Sequence, residues 1–164
     1  MLYELLPLLR GWMYHYVDIP GSLNYGDTRE LARIEAPGWF LGFAGYASGS
    51  RDAKYVRVRV EMDGPEKVFL IELSPFDVHT FGWTMPHNFG AYITKYDDTT
   101  MEYAGSLTPS KPIPFTRSFI VKIMAPPSPK EETTPKPMNY RVIITVAKIV
   151  DVEEFRRSVR EILK

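Results

Sequence analysis

Residues 55–62 read YVRVRVEM, and this stretch decides the fold class. Valine and methionine at 56, 58, 60 and 62 alternate with tyrosine, arginine and glutamate. One apolar and one charged face at a period of two predict a half-buried strand. The turn signal Asp63-Gly64-Pro65-Glu66 follows, and KVFLIEL comes next at 67–73. The two runs therefore predict a β-hairpin.

Runs of the same character occur on both sides of this hairpin. Strand-like segments are Phe115–Met124 and Tyr140–Val150, with weaker ones at Trp12–Ile19, Glu30–Ile34, Trp39–Tyr46, Ala91–Lys95 and Met101–Tyr103. Many short strands separated by turn residues, without helices alternating between them, are typical of an antiparallel sandwich. The strand count favours a jelly roll among the sandwich types. We therefore predict an all-β fold, an antiparallel β-sandwich that is jelly-roll-like.

The composition limits the organisation and the function classes. The chain has 164 residues, no cysteine, and 20 basic against 20 acidic side chains. This length fits one domain over 1–164, and the absence of cysteine excludes disulfides and thiolate metal sites. Nucleic-acid-binding domains usually carry a basic excess, so balanced charge argues against that partner. No apolar run reaches the roughly 20 residues of a spanning helix, so we expect a soluble protein without a membrane partner.

Three segments fall outside the strand pattern. We interpret residues 1–10 (MLYELLPLLR) as a folded N-terminal arm and Ala125–Met138 (APPSPKEETTPKPM) as a long exposed proline-rich loop. That loop is either flexible or an arm that becomes ordered when it binds a partner. Asp151–Lys164 reads as the one clear helix, C-terminal, with apolar residues at helical spacing. Its apolar stripe packs either on its own sheet or on a neighbouring subunit.

Histidines and carboxylates are the first candidates for chemistry. Asp77 and His79 flank Val78, so in a strand they would share a face, and with His87 they make a two-histidine, one-aspartate metal site imaginable. A hydrogen-bonded structural histidine is the commoner alternative. The acidic pair Asp97-Asp98 precedes two threonines and is explained by turn chemistry. We expect no metal, no cofactor and no enzyme activity.

Two further clusters have structural explanations. Glycines in the run GFAGYASG at 42–49 match no phosphate-binding pattern and indicate a strand with a bulge or close packing. Arg51, Arg57 and Arg59 are interpreted as a solvated strand face.

The most distinctive segment is Ser74–Tyr92, SPFDVHTFGWTMPHNFGAY, which is dense in aromatic residues and has no sustained period. It is either a cap on the core or a recognition surface, because aromatic side chains are enriched at protein interfaces and also suit sugar rings. The candidate binding or interface residues are Phe76, His79, Phe81, Trp83, His87, Phe89 and Tyr92.

The run PGWFLGFAGYASGSRDAKYVRVRVEMDGPEKVFLIELSPFD, with the later IPFTRSFIVKI and NYRVIITVAKIVD, resembles β-sandwich proteins of virions, namely capsid, decoration or tail modules. The resemblance spans about residues 37–151 and implies a non-catalytic module that assembles with other protein subunits into a homo-oligomer, in a virion. The alternative is a carbohydrate-binding module that uses Trp83 to bind a glycan. A third hypothesis is a cupin-like metal-dependent enzyme around His79 and His87.

Overall fold

The structure is a computed structural model, and it describes residues 12–63, 68–82 and 90–149. Its strands are Trp12–Leu23 (β1), Thr28–Ile34 (β2), Gly38–Ser48 (β3), Arg57–Asp63 (β4), Val68–Leu73 (β5), Ala91–Asp97 (β6), Glu102–Leu107 (β7), Ile113–Phe115 (β8), Phe119–Met124 (β9) and Met138–Ile149 (β10). A 3₁₀ helix covers Arg51–Tyr55, and one α-helix, α1, covers Pro75–Thr80. None of the described helices is long and apolar enough to cross a membrane.

The strands form two antiparallel sheets, which confirms the predicted sandwich. The first sheet has the order β1-β10-β3-β7-β6, with β8 also paired to β3, and the second has the order β2-β9-β4-β5. The chain crosses between sheets at most connections, so strands that follow each other in sequence rarely lie side by side. This arrangement is the jelly roll.

The predicted hairpin is confirmed, with β4 and β5 paired from Val58 opposite Leu73 to Asp63 opposite Val68. Along β4 the side chains of Val58, Val60 and Met62 are buried while Arg57 is exposed. They belong to the same buried core cluster as Val142, Ile144 and Val146 of β10 in the other sheet. Each fully buried side chain of this kind stabilises the fold by roughly 1.5–3 kcal/mol. The period-two pattern in the sequence therefore indicates which face of β4 packs against the core.

Aromatic rings fill the centre of the sandwich. The ring of Phe119 lies 5.6 Å from Phe40 and 5.2 Å from Phe115, measured between ring centroids. Phe115 and Phe119 were predicted to share one strand. That prediction is wrong, because β8 ends at Phe115 and β9 begins in the other sheet at Phe119. At the break, Thr116 donates its backbone N–H to the Asp63 carbonyl at 2.7 Å, and Ser118 Oγ donates to the Asp63 carboxylate at 2.8 Å. These bonds replace the ladder that a continuous strand would have made.

The predicted glycine bulge is confirmed in β3. Thr145 of β10 lies opposite Gly42, and the next residue, Val146, lies opposite Phe40, so one residue of β3 is left over. Gly42 has φ +150°, and a Cβ there would lie 2.5 Å from the Leu107 carbonyl oxygen. Only glycine allows this approach of β7.

The predicted N-terminal arm 1–10, the turn residues 64–66 and the C-terminal helix 151–164 lie outside the described residues. The one described α-helix, α1, was not predicted. Tyr55, predicted as the first residue of a strand, instead ends the 3₁₀ helix.

Candidate functional site

Two charged side chains are buried on the single turn of 3₁₀ helix before β4. Asp52 is 0% exposed and Lys54 is 4% exposed. Ser50 precedes the helix and accepts a hydrogen bond from the Asp52 backbone N–H at 3.1 Å, which fixes where the turn begins. Charged groups are almost never buried unless they are paired. The partners of Asp52 and Lys54 therefore show which segments of the chain the 3₁₀ helix contacts.

Asp52 holds the proline-rich loop. Its carboxylate accepts the backbone N–H groups of Lys130 at 2.9 Å, Glu131 at 2.8 Å and Glu132 at 3.5 Å, together with the Tyr25 hydroxyl at 2.9 Å. Burial raises the pKa of Asp52, but these hydrogen bonds outweigh burial and the net pKa is lowered. The carboxylate therefore stays charged at neutral pH and keeps all its donors.

Glu132 makes the return contact from the loop. Its carboxylate accepts the Arg51 backbone N–H at 2.9 Å and the Ser50 hydroxyl at 3.3 Å. The Arg51 hydrogen bond lowers the pKa of Glu132. The loop and the 3₁₀ helix thus satisfy each other's backbone donors, as the two halves of a capping box do.

Lys54 joins the same loop to the β6–β7 turn. Its Nζ lies 2.9 Å from the Asp98 carboxylate and 2.9 Å from the Glu131 carboxylate. Burial lowers the pKa of Lys54, but the two carboxylates outweigh it and the net pKa is raised. The ammonium also lies over the rings of Tyr96 and Tyr103, at 5.7 and 5.9 Å from their centroids, where the negative ring faces add attraction.

Two tyrosines complete the hydrogen bonding. Tyr103 is 0% exposed and donates to Asp98 at 2.8 Å, while Tyr55 donates to Glu131 at 2.7 Å. Burial, followed by the Glu131 contact, raises the pKa of Tyr55 to about 12. We call this set the anchor cluster, and its members are Tyr25, Ser50, Asp52, Lys54, Tyr55, Asp98, Tyr103, Glu131 and Glu132.

The chemistry of the anchor cluster suits it to fixing the proline-rich loop and the β6–β7 turn rather than to transferring protons. An acid–base catalyst works best with a pKa near the operating pH. Here the pKa values of Asp52 and Asp98 are lowered, and those of Lys54 and Tyr103 are raised. These groups keep one protonation state across neutral pH, and their hydrogen bonds are directed at the loop and the turn.

The structure places four of the predicted site residues. Phe76 and His79 lie on α1, Phe81 follows it, and Tyr92 lies on β6. The Phe76 ring packs 4.7 Å from Tyr55, and the His79 ring stacks on Tyr96 at 3.9 Å with an interplanar angle of 13°. Two predicted residues therefore contact aromatic neighbours of Lys54. Phe81 is 64% exposed and Tyr92 is half-buried. The predicted residues Trp83, His87 and Phe89 lie outside the described residues.

The prediction that Asp77 and His79 share a strand face is wrong, because both lie on α1. Asp77 accepts the Ser74 backbone N–H at 3.0 Å and donates its own N–H to Ser74 Oγ at 3.1 Å, which is a capping box. The signal was present in the sequence as Ser74-Pro75-Phe76-Asp77, a cap residue followed by proline and then an acid. The Asp77 carboxylate, considered as a metal ligand in the sequence, instead caps the N-terminus of α1.

The acidic turn behaves as predicted. Asp97 accepts the backbone N–H groups of Thr99 at 2.8 Å and Thr100 at 3.0 Å. Glu102 accepts the Tyr46 hydroxyl at 2.9 Å and forms an ion pair with Lys95. Over residues 12–63, 68–82 and 90–149, no group of three histidine, aspartate or glutamate side chains is placed to hold a metal ion.

The predicted solvated arginine face is confirmed only for Arg57, which is exposed on β4; Arg59 is half-buried there, and Arg51 is exposed but lies on the 3₁₀ helix rather than on a strand. Arg57 lies 3.0 Å from Glu72, and Arg59 lies 2.8 Å from Glu61, on the outer face of the second sheet. The exposed Arg57 pair contributes about 1 kcal/mol or less.

No family model matches this sequence, and comparison with curated proteins finds no match. Among solved structures, the chain is similar to the infectious bursal disease virus VP2 subviral particle, with a TM-score of 0.39 and 10% sequence identity. The similarity covers 84% of this chain and 33% of that one, so the chain spans about a third of the length of the viral protein.

Proposed function

We propose that this chain is a non-enzymatic recognition and assembly module that presents the loop 125–138 to other protein subunits. One observation carries the proposal. A long exposed loop is held in place by three backbone N–H groups on a carboxylate that is 0% exposed.

The anchoring makes sense if the loop has to keep one shape. Loops of more than about 12 residues are normally either functional or disordered, and ordering a free loop on binding costs about 1–2 kcal/mol per residue. Here the middle of the loop, Lys130–Glu132, is already fixed. A surface held in its bound conformation loses less entropy when a partner binds, so it binds more tightly.

The surface of the loop suits a protein partner. Residues 127–131 and 133–137 are exposed, while Pro126 is buried and Glu132 is half-buried. The exposed part carries four prolines and the charged side chains Lys130, Glu131 and Lys136. Such a surface offers paired-charge and backbone contacts to a folded neighbour.

The sequence resemblance to virion sandwich proteins makes a capsid, decoration or tail shell the assembly that we propose. Jelly rolls serve as shell domains in viral capsids. In such a shell the outer faces and connecting loops of each copy meet its neighbours.

The test is the mass of the chain in solution by light scattering. We expect an oligomer, weakened by Thr134→Arg, which places a bulky charge on the exposed part of the loop. Lys111→Ala, an exposed change in the β7–β8 connection, is the matched control and leaves the mass unchanged. A monodisperse monomer at the highest soluble concentration would overturn the proposal. An oligomer insensitive to Thr134→Arg would remove the loop from the contact.

A further inference from the structure

Strand β5 ends the second sheet. It pairs with β4 along Val68–Leu73, and no described residue pairs with its other edge. An edge strand presents a row of backbone N–H and C=O groups that can pair with another chain. Proteins usually protect such edges with proline, bulges, charges or short strands.

The other edges of this sandwich carry such protection. In the first sheet β1 contains Pro20, and β6 has a register shift between Ile93 and Lys95. In the second sheet β2 has a shift between Glu30 and Ala32. The short strand β8 has three residues and contains a proline.

Strand β5 has neither a proline nor a bulge, and its one charged side chain, Glu72, is paired with arginines of β4. Its sequence, VFLIEL, has no proline, glycine or basic residue, and its pairing with β4 is continuous. Leu70 is 52% exposed, one of two large apolar side chains described as exposed. The helix α1 follows β5 directly but turns away from it, since Phe76 and His79 pack on Tyr55 and Tyr96.

We propose that β5 pairs antiparallel with β5 of a second copy, around a two-fold axis at Leu70. The inference rests on the proposed assembly function and names one contact within it. In this register Leu70 lies opposite Leu70 of the second copy, and Glu72 lies opposite its Val68. Facing residues keep the same parity, so the outer face of one sheet continues as the outer face of the other.

Charge and shape favour a second copy as the occupant. The two glutamates at 72 are kept apart by this register, and each is already neutralised by Arg57 at 3.0 Å and Arg59 at 3.6 Å on its own β4. The two Leu70 side chains form an apolar cross-strand pair, the favourable kind at the centre of an antiparallel contact. A self-complementary patch is what a two-fold dimer requires.

The test uses the absence of cysteine in the chain. In Leu70→Cys the introduced thiols would face each other across the axis, at the 4.5–5.5 Å separation of opposed Cβ atoms. We expect a covalent dimer on mild oxidation or with a short bismaleimide. Thr94→Cys, at an exposed position in the bulge of β6, is the matched control and should form no covalent dimer under the same treatment.

A second variant does not depend on covalent chemistry. Leu70→Lys places a charge at the centre of the pairing and should raise the dimer dissociation constant by about ten-fold or more. If the unmodified chain assembles but Leu70→Cys does not cross-link, or Leu70→Lys assembles normally, the β5 contact is wrong and the assembly function stands. If the unmodified chain is a monomer, both proposals fail. Cross-linking that survives Thr134→Arg would support the β5 contact independently of the loop.

Discussion

Replacing Asp52 with asparagine tests the anchoring of the loop most directly, because the side chain keeps its size and loses its charge. The Oδ2 atom accepts from Tyr25, Lys130 and Glu132, whereas Oδ1 accepts from Glu131 alone. The amide oxygen will therefore take the Oδ2 position, and the amide N–H₂ will point at the Glu131 N–H. The hydrogen bond from Glu131 is lost, and the Glu131 N–H and the introduced amide N–H₂ face each other with no acceptor between them.

A hydrogen bond to a charged group contributes roughly 1.5–3 kcal/mol, so Asp52→Asn should lower the free energy of unfolding by about 2–3 kcal/mol. For a chain of this size that corresponds to a fall of roughly 4–12 °C in Tm. Urea unfolding measures the free energy, and amide hydrogen exchange should show loss of protection at Lys130 and Glu131 in particular.

Asp18→Asn is the matched control, since Asp18 pairs with Arg141 at 2.6 Å on an exposed face. It should destabilise the fold far less than Asp52→Asn, because solvent screens the Asp18–Arg141 pair. The reasoning would be refuted if Asp52→Asn cost as little as the control and left exchange at the loop unchanged.

Three further outcomes follow from the same geometry. Lys54→Met leaves two carboxylates facing each other without their cation, so urea unfolding should show a loss of about 2–3 kcal/mol, and an effect under about 0.5 kcal/mol would contradict the ion-pair role. Gly45→Ala should stabilise the fold by about 0.4–1 kcal/mol, because the added Cβ meets only Val58 at 3.8 Å, beside a cavity of about 40 Å³. Gly42→Ala should destabilise it, because a Cβ there would lie 2.5 Å from the Leu107 carbonyl oxygen. Equal Tm shifts of the two variants would contradict this packing. The pKa of Asp52 is lower in the folded protein than its unfolded value near 4. Its ionised form therefore stabilises the fold above pH 4, and this contribution is lost as the pH falls through the folded pKa. The folded pKa of Tyr55 is raised to about 12, so stability is lost as pH rises above about 10. Thermal melts across pH should show a fall in Tm at acid pH and another at alkaline pH. Asp52→Asn should make the acid fall smaller.

The parts of the fold that sequence predicts are those where one face of a strand meets the core. The alternation at 56–62 identifies β4 because arginine and glutamate can reach water on one side only. The glycines at 42–49 predicted a bulge or close packing because they lie among aromatic residues, and the structure places the bulge at Gly42. These signals are local, so a single sequence carries them.

The anchor cluster could not be predicted in the same way. Asp52 and its loop partners lie 78–80 residues apart, and Lys54 lies 44 residues from Asp98. Nothing near Asp52 distinguishes it from an aspartate in an ordinary exposed turn. The proline-rich loop was identified from its composition, but its fixed middle depends on contacts that only the folded chain creates.

The position of β10 in the first sheet has a consequence for synthesis. Strand β10, at Met138–Ile149, lies between β1 and β3, and it pairs with both along most of its length. While these residues are still inside the ribosome, β1 has no neighbour and β3 has one open side. The first sheet therefore forms completely only after translation of β10, and until then the edges of β1 and β3 that pair with β10 stay open to other chains.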